Sequence, residues 1–185
     1  MNTNPYEKFL GDRDPLKVVA ATPARIGALT RGLSGRQLAR RPSPGKWSIH
    51  EIVRHLAETD MVMCSRARWI AFEEKPTLVP FDQEKWAQGW VREKEPFEET
   101  LERFRLIRRS HVRLFRAASK QDFQRSGYHP ERGIVTLQTQ LETAAGHDLN
   151  HLRQITLLAV GMTRPDPNPK HRTPSAGKTI GRYPA

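Results

Sequence analysis

Ala145-Gly146-His147-Asp148-Leu149-Asn150-His151-Leu152-Arg153-Gln154-Ile155 is the stretch on which the reading of this chain turns. It lies in a pattern that begins near Thr136 and places Leu137, Leu141, Ala144, Ala145, Leu152, Ile155 and Ala159 at helical spacing before Gly161. Such spacing predicts a long helix with one apolar stripe. His147 and His151, four residues apart, leave that helix from one face beside the stripe, so both imidazoles can grip one ion. A pair of ligands needs a third from elsewhere, and His55, inside another helical segment, is the best candidate in the sequence.

Working outward, three more segments carry the helical period. Asp14-Pro15 and Thr22-Pro23 each resemble an N-cap followed by a first-turn proline, with Val18, Val19, Ile26 and Leu29 as apolar positions before Gly32. The first helix is thus expected as one kinked rod or two pieces. After the loop Arg40 to Lys46 and Trp47, Ser48-Ile49-His50-Glu51 reads as a capping box. Ile49, Ile52, Val53, Leu56, Met63, Ala67 and Ile70 then predict a second helix to about Glu73. Pro76 to Pro80 breaks the chain, and Phe81 to Trp86 suggests a short helix or turn leading to Trp90. From Glu95-Pro96 a third long helix carries Phe97, Leu101, Phe104, Ile107, Val112, Leu114 and Phe115. Strand alternation is not evident anywhere. Four major helices in one domain most simply make an all-α four-helix bundle, whose interior is where facing helices build metal sites.

Composition limits what such a bundle can do. The 185 residues suit one domain with a real core, and Cys64 is the lone cysteine, so a metal must be held on nitrogen and oxygen. Cys64 itself reads as a buried helix residue. No apolar run approaches the ~20 residues that span a bilayer, and the start lacks an apolar signal core, so a cytoplasmic protein with no membrane partner is expected. The net charge of +11 raises the question of an anionic partner. Part of it sits in residues 164–185, where Arg164, Lys170, Arg172, Lys178 and Arg182 face Asp166 alone amid five prolines. We read 1–163 as the bundle domain and 164–185 as a basic, proline-rich tail. In the third helix Glu98, Glu99 and Glu102 precede Arg108, Arg109, Arg113 and Arg116, an order that complements the helix dipole and allows a Glu99–Arg103 pair; a solvated face is the expected reading.

The remaining histidines are weaker ligand candidates. His111, between Ile107 and Leu114, reads as a packing residue; His50 falls in a first helical turn, His129 in a turn and His171 in the tail. Any single histidine near an apolar stripe is ordinarily a hydrogen-bonded core residue, and the site is argued from the three together.

Pro44-Gly45-Lys46-Trp47-Ser48-Ile49-His50-Glu51-Ile52, then His55-Leu56-Ala57-Glu58, His129-Pro130, Gly133 and finally Gly146 to Ile155 follow one another in an order that resembles the DinB-like superfamily of damage-inducible four-helix proteins. The similarity covers about residues 15–161. It implies a four-helix bundle of the DinB-like type holding a divalent metal, zinc, nickel, iron or manganese, on three histidines that correspond to His55, His147 and His151. It also implies a possible homodimer, and an activity such as that of the family's thiol S-transferases, which use the low-molecular-weight thiols bacillithiol or mycothiol. The family's link to DNA damage concerns induction and not contact with DNA.

Three neutral imidazoles leave an ion its full charge and an open position, which suits activation of a water or a thiol. The expected function is therefore a metal-dependent thiol S-transferase or hydrolase acting on a small electrophilic substrate. Each ligand should offer its other ring nitrogen to an acceptor, and Glu58, Asp148, Asn150 and Gln154 are near enough in sequence to serve. Asp148 falls on the inward stripe, where it would either orient a ligand or accept from a neighbouring helix terminus. Trp86, Trp90 and Gln154 are the expected pocket wall. The His-x-x-x-His spacing of zinc peptidases is present, but Asp148 stands where those enzymes carry the longer glutamate. The alternative from another class is a metal-stabilised binding protein that grips nucleic acid or another polyanion through its tail, Arg36, Arg40, Arg41 and the late arginines of the third helix. Those stretches lack the interleaved aromatics on which bases stack, which disfavours it.

Overall fold

The computed structural model describes residues 4–163. After a four-residue turn of helix, α1 (Glu7–Leu10), the first long helix α2 (Pro15–Thr30) starts where sequence chemistry demands it. The Asp14 carboxylate accepts from the backbone N–H groups of Leu16 and Lys17, and Pro15 occupies a position where no N–H is needed. The second apparent cap, Thr22-Pro23, does not divide the helix. Thr22 is fully buried and donates its hydroxyl to the Val18 carbonyl instead. Pro23 has no N–H for the Val19 carbonyl four residues back, and the Arg108 guanidinium supplies the missing donor at 3.0 Å.

A short helix, α3 (Gly35–Leu38), leads to α4 (Ile49–Phe72), whose Ser48–Glu51 capping box is complete in both directions. The stretch after Pro80 forms α5 (Gln83–Glu93), a full eleven-residue helix capped by Asp82. Next come α6 (Phe97–Ala117), the short α7 (Lys120–Gln124) and α8 (Leu137–Thr163), which continues through Gly161. Between the last two lies an antiparallel hairpin that the sequence did not reveal, β1 (Ser126–His129) and β2 (Gly133–Thr136), with Tyr128 opposite Ile134. Four residues are too few to display alternation, and the pairing is completed from outside: Leu78 N–H donates to the Tyr128 carbonyl and Tyr128 N–H to that of Pro76. His129 thus ends a strand and is buried.

α2, α4, α6 and α8 form the bundle. α4 touches α6 and α8, α2 touches the same two, and chain-consecutive α2 and α4 lie across a diagonal. Two apolar clusters fill its ends. One contains Val18, Val19, Met63, Ala67, Ile70, Val112, Phe115, Leu141 and Ala144; the other contains Ile26, Ile52, Val53, Leu56, Leu101, Phe104, Leu152 and Ile155. Numbering along the helices gives their directions: α2 and α8 run from the first cluster to the second, α4 and α6 from the second to the first. The topology is up-down-down-up, and the long 73–96 segment with α5 is the crossover that two parallel neighbours require.

Between the clusters lies a buried polar layer to which every bundle helix contributes. Arg108 on α6 donates Nε to Asp60 Oδ2 on α4 at 2.9 Å and both Nη groups to the Asp148 carboxylate on α8, in addition to the Val19 carbonyl of α2. His111 Nδ1 lies 2.7 Å from Asp60 Oδ1. Arg108 therefore departs from the solvated face expected of its helix, whereas Arg109, Arg113 and Arg116 remain exposed. Arg103 pairs with Glu95, not Glu99, with contacts of 2.7 and 2.8 Å. The tail at 164–185 and His171 lie outside the described residues, and among the described residues no helix is long and apolar enough to cross a membrane.

Candidate metal centre

The same layer that buries Arg108 brings the three predicted histidines together. His55 projects from α4, and His147 and His151 from α8; each is buried, at 3–5% exposure. His147 Nε2 lies 3.0 Å from His55 Nε2 and 3.1 Å from His151 Nε2. Among the described residues this is the one group of three or more metal-ligating side chains whose donor atoms all fall within 4.8 Å of one another.

The protonation pattern bears on what this convergence could hold. Burial, with neighbouring imidazoles adding to it, holds His55 and His147 well below the usual histidine range, and burial takes His151 to about 4 against the opposing hydrogen bond to Gln154. All three rings are neutral near pH 7. Gln154 Oε1 lies 2.9 Å from His151 Nδ1; an amide oxygen only accepts, so Nδ1 carries the proton and Nε2 presents its lone pair. His147 Nε2 faces two such nitrogens and could donate to only one of them. Hydrogen bonding within the trio leaves lone pairs facing each other in a dry site, an arrangement that a cation resolves. Neutral imidazoles at this density suit a divalent first-row ion.

The surroundings correct part of the expected wall. Gln154 is in place, as the acceptor for His151. For His55 the neighbour is Thr59, whose hydroxyl lies 3.5 Å from Nδ1, a residue one turn along α4 that sequence reasoning passed over. Trp90 is buried and donates Nε1–H to Glu58 at 2.8 Å, while its ring lies 5.7 Å from that of Trp47. Trp47, not Trp86, packs on the histidine cluster, with its ring centroid 4.8 Å from that of His55. Its place immediately before the Ser48 cap was the available signal. Trp86 packs on Phe81 and lines an outer groove with Glu58, Glu93 and Glu95. Asp148 orients no ligand and caps no helix: its carboxylate is committed to Arg108, which also removes it from any peptidase-like role. Glu58 serves Trp90, and burial lifts its carboxyl above the usual range. Cys64 is buried, with its thiol pushed up by burial, and takes no part.

Gly146 supplies close approach. A Cβ there would stand 2.5 Å from the Tyr6 carbonyl oxygen and 2.7 Å from Tyr6 Cβ, so glycine lets the N-terminal segment seat on α8. Tyr6 then meets the His147 ring edge-on at 5.0 Å.

A model of the DinB superfamily matches residues 19–155, which takes in most of all four bundle helices and all three histidines. The chain belongs to the DinB superfamily. A Geobacillus thermodenitrificans relative named "Putative metal-dependent hydrolase" is 30% identical over 148 residues, covering 77% of this chain and 81% of the relative. One from Oceanobacillus iheyensis with the same description is 29% identical over 126 residues, 68% of this chain and 73% of the relative. The solved structure of YfiT from Bacillus subtilis, described as "a probable metal-dependent hydrolase with an unusual four-helix bundle topology", superposes with a TM-score of 0.73 at 26% identity, over 80% of this chain and 85% of that one.

Proposed function

We propose that His55, His147 and His151 hold one divalent metal ion, zinc, nickel, iron or manganese, and that the protein is a metal-dependent enzyme acting on a small electrophilic substrate as a hydrolase or a thiol S-transferase. The observation that carries this reading is the meeting of three neutral rings in a buried layer, with His147 Nε2 at 3.0 Å from His55 Nε2 and 3.1 Å from His151 Nε2, where the single His147 N–H could satisfy one of the two contacts. The names of the bacterial relatives point the same way. When bound, such an ion supplies Lewis acidity that brings the pKa of a water or thiol toward neutrality.

The chain's own contribution is to set the field and the access. Neutral ligands cancel none of the ion's charge, as carboxylates would. Gln154 fixes the His151 tautomer, and Trp47, backed by Trp90, shields the His55 side from solvent. A low-molecular-weight thiol would serve as cosubstrate in the transferase form of the reaction, since the buried Cys64 offers no nucleophile.

The test is elemental analysis of the purified chain beside His55→Ala, His147→Ala and His151→Ala. Near-stoichiometric metal in the wild type and its loss in all three variants, with helical circular dichroism retained, is expected. A wild type that takes up none of the four metals overturns the reading. Consumption of an electrophilic ester or epoxide with and without added thiol then separates hydrolase from transferase.

A further inference from the structure

Of the buried arginines among the described residues, Arg54 and Arg108 are matched to acids and Arg66 is not; it shares a recess with the half-buried Arg132. Arg108 has Asp60 and Asp148, and Arg54 has Glu58, Glu93 and Glu95 around it. Arg66 on α4 is 5% exposed, and Arg132 sits in the turn of the hairpin; neither has a carboxylate within 4.0 Å among the described residues. Both guanidinium groups line a recess together with Tyr6, Gln83 and the metal-site residue His147. Burying like charges side by side without a counter-ion is costly, and a fold retains the arrangement when something else brings the negative charge.

The local roles of these side chains do not account for it. Arg66 holds the Val79 carbonyl through Nε and Nη2 at 3.1 and 2.5 Å, a task that needs a donor and not a second neighbouring cation. Arg132 Nε is buried with no hydrogen-bond partner. The nearby acid, Glu131, is exposed and pairs with neither guanidinium within 4.0 Å, and it offsets only part of the burial that lowers both. The positive field is felt by its neighbours: burial and then Arg132 bring Arg66 down to about 10, and burial with both arginines brings His129 down to about 4. Arg132 also acts on His147.

We propose that Arg66 and Arg132 form an oxyanion subsite, so that the small-molecule substrate or cosubstrate carries a carboxylate or phosphate group held beside His147. The placement next to the reaction centre rests on the three-histidine reading; the anion binding does not. Arg66, with the donors left over from its hold on Val79, and Arg132, with its unpartnered Nε, would supply charge-assisted hydrogen bonds to an oxyanion in the recess and so fix the distance of the bound molecule from His147. This makes the substrate an anionic electrophile or an anionic thiol, in preference to a neutral lipophilic one.

The test is calorimetric titration of the full-length protein, as purified and with its metal content measured, with inorganic phosphate and with acetate. Binding of either anion, weakened at least tenfold by Arg132→Gln with metal content and melting temperature unchanged, is expected, and the tighter anion names the group. Arg66→Lys, which keeps the charge but loses the fork, should weaken it too and serves if Arg132→Gln does not fold. No binding of either anion at millimolar concentration, or binding unaltered in both variants as it would be for an anion sitting on the metal alone, overturns the proposal. A protein that takes up no metal yet binds phosphate through these arginines would sink the metal reading and leave this one standing; metal without anion binding would do the reverse.

Discussion

Replacing Arg108 with methionine removes the one cation at the centre of the bundle while keeping most of the side-chain volume. Two carboxylates, Asp60 and Asp148, each with a side chain 1% exposed, then lose their partner, and the Val19 carbonyl, orphaned by Pro23, loses its donor. Breaking a buried ion pair from one side costs about 3–5 kcal/mol, and an unsatisfied buried carbonyl adds about 1–3. Part is recovered when the aspartates take up protons, so a net loss of about 4 kcal/mol is expected near pH 7.5, a large share of the roughly 5–15 kcal/mol that holds a domain together. The pH dependence has a definite sign. In the wild type, burial would raise Asp60, but Arg108 and His111 outweigh it and hold it at about 2, below its ordinary 3.8; its share of stability is present above pH 3.8 and lost as pH falls toward 2. Asp148, with no histidine hydrogen-bonded to its carboxylate, stays raised by burial despite Arg108 and Thr22. In Arg108→Met Asp60 moves above 3.8 and Asp148 rises further, and the deficit relative to wild type must shrink as pH is lowered from 7.5 to 5. Urea unfolding of both proteins at the two pH values measures this, with Arg109→Met, on the exposed face of α6, as a control expected within about 0.5 kcal/mol. A deficit below about 1 kcal/mol at pH 7.5, or one that grows on acidification, refutes the account of the polar layer.

Gly146→Ala gains roughly 1 kcal/mol of helix propensity but drives a methyl into Tyr6, so net destabilisation of about 1–2 kcal/mol and faster proteolytic cleavage near residue 6 are expected; a raised melting temperature would refute the close approach. His129 is neutral when folded, with its pKa near 4 against an ordinary 6.5, so it favours the folded state fully above 6.5 and loses that contribution as pH falls toward 4; His129→Asn should flatten the melting-temperature profile across that window, and parallel profiles would contradict this. Removing metal with a chelator should lower the melting temperature of the wild type and leave that of His151→Ala unmoved, because an ion that binds only the folded state stabilises by mass action.

How much of this was legible depends on whether the information is local. The cap at Asp14, the capping box at Ser48 and the i, i+4 pair on α8 are contained in a few consecutive residues, and each stands as the sequence suggested. Arg108 was misjudged because its neighbours in sequence are arginines and glutamates, while its partners lie 48 and 40 residues away. Thr22-Pro23 looked like a helix start because the remedy for the missing N–H comes from another helix. The hairpin escaped because four-residue strands carry no period, and its outer pairing comes from the segment at Pro76 and Leu78. At the candidate site, the meeting of the three histidines was readable but the cover was not: Trp47 precedes its helix, and its contact, His55, is eight residues away in sequence, a meeting set by the fold.

That indole has a practical consequence. Of the four tryptophans, Trp47 alone stacks near a histidine of the cluster, and Trp90 stands behind it. The chain thus carries its own fluorophore at the mouth of the centre. Paramagnetic nickel, iron or manganese seated on His55 should darken that emission, whereas diamagnetic zinc should leave it bright and shift its colour. Occupancy and ion class can then be followed in a cuvette, in real time and without a label.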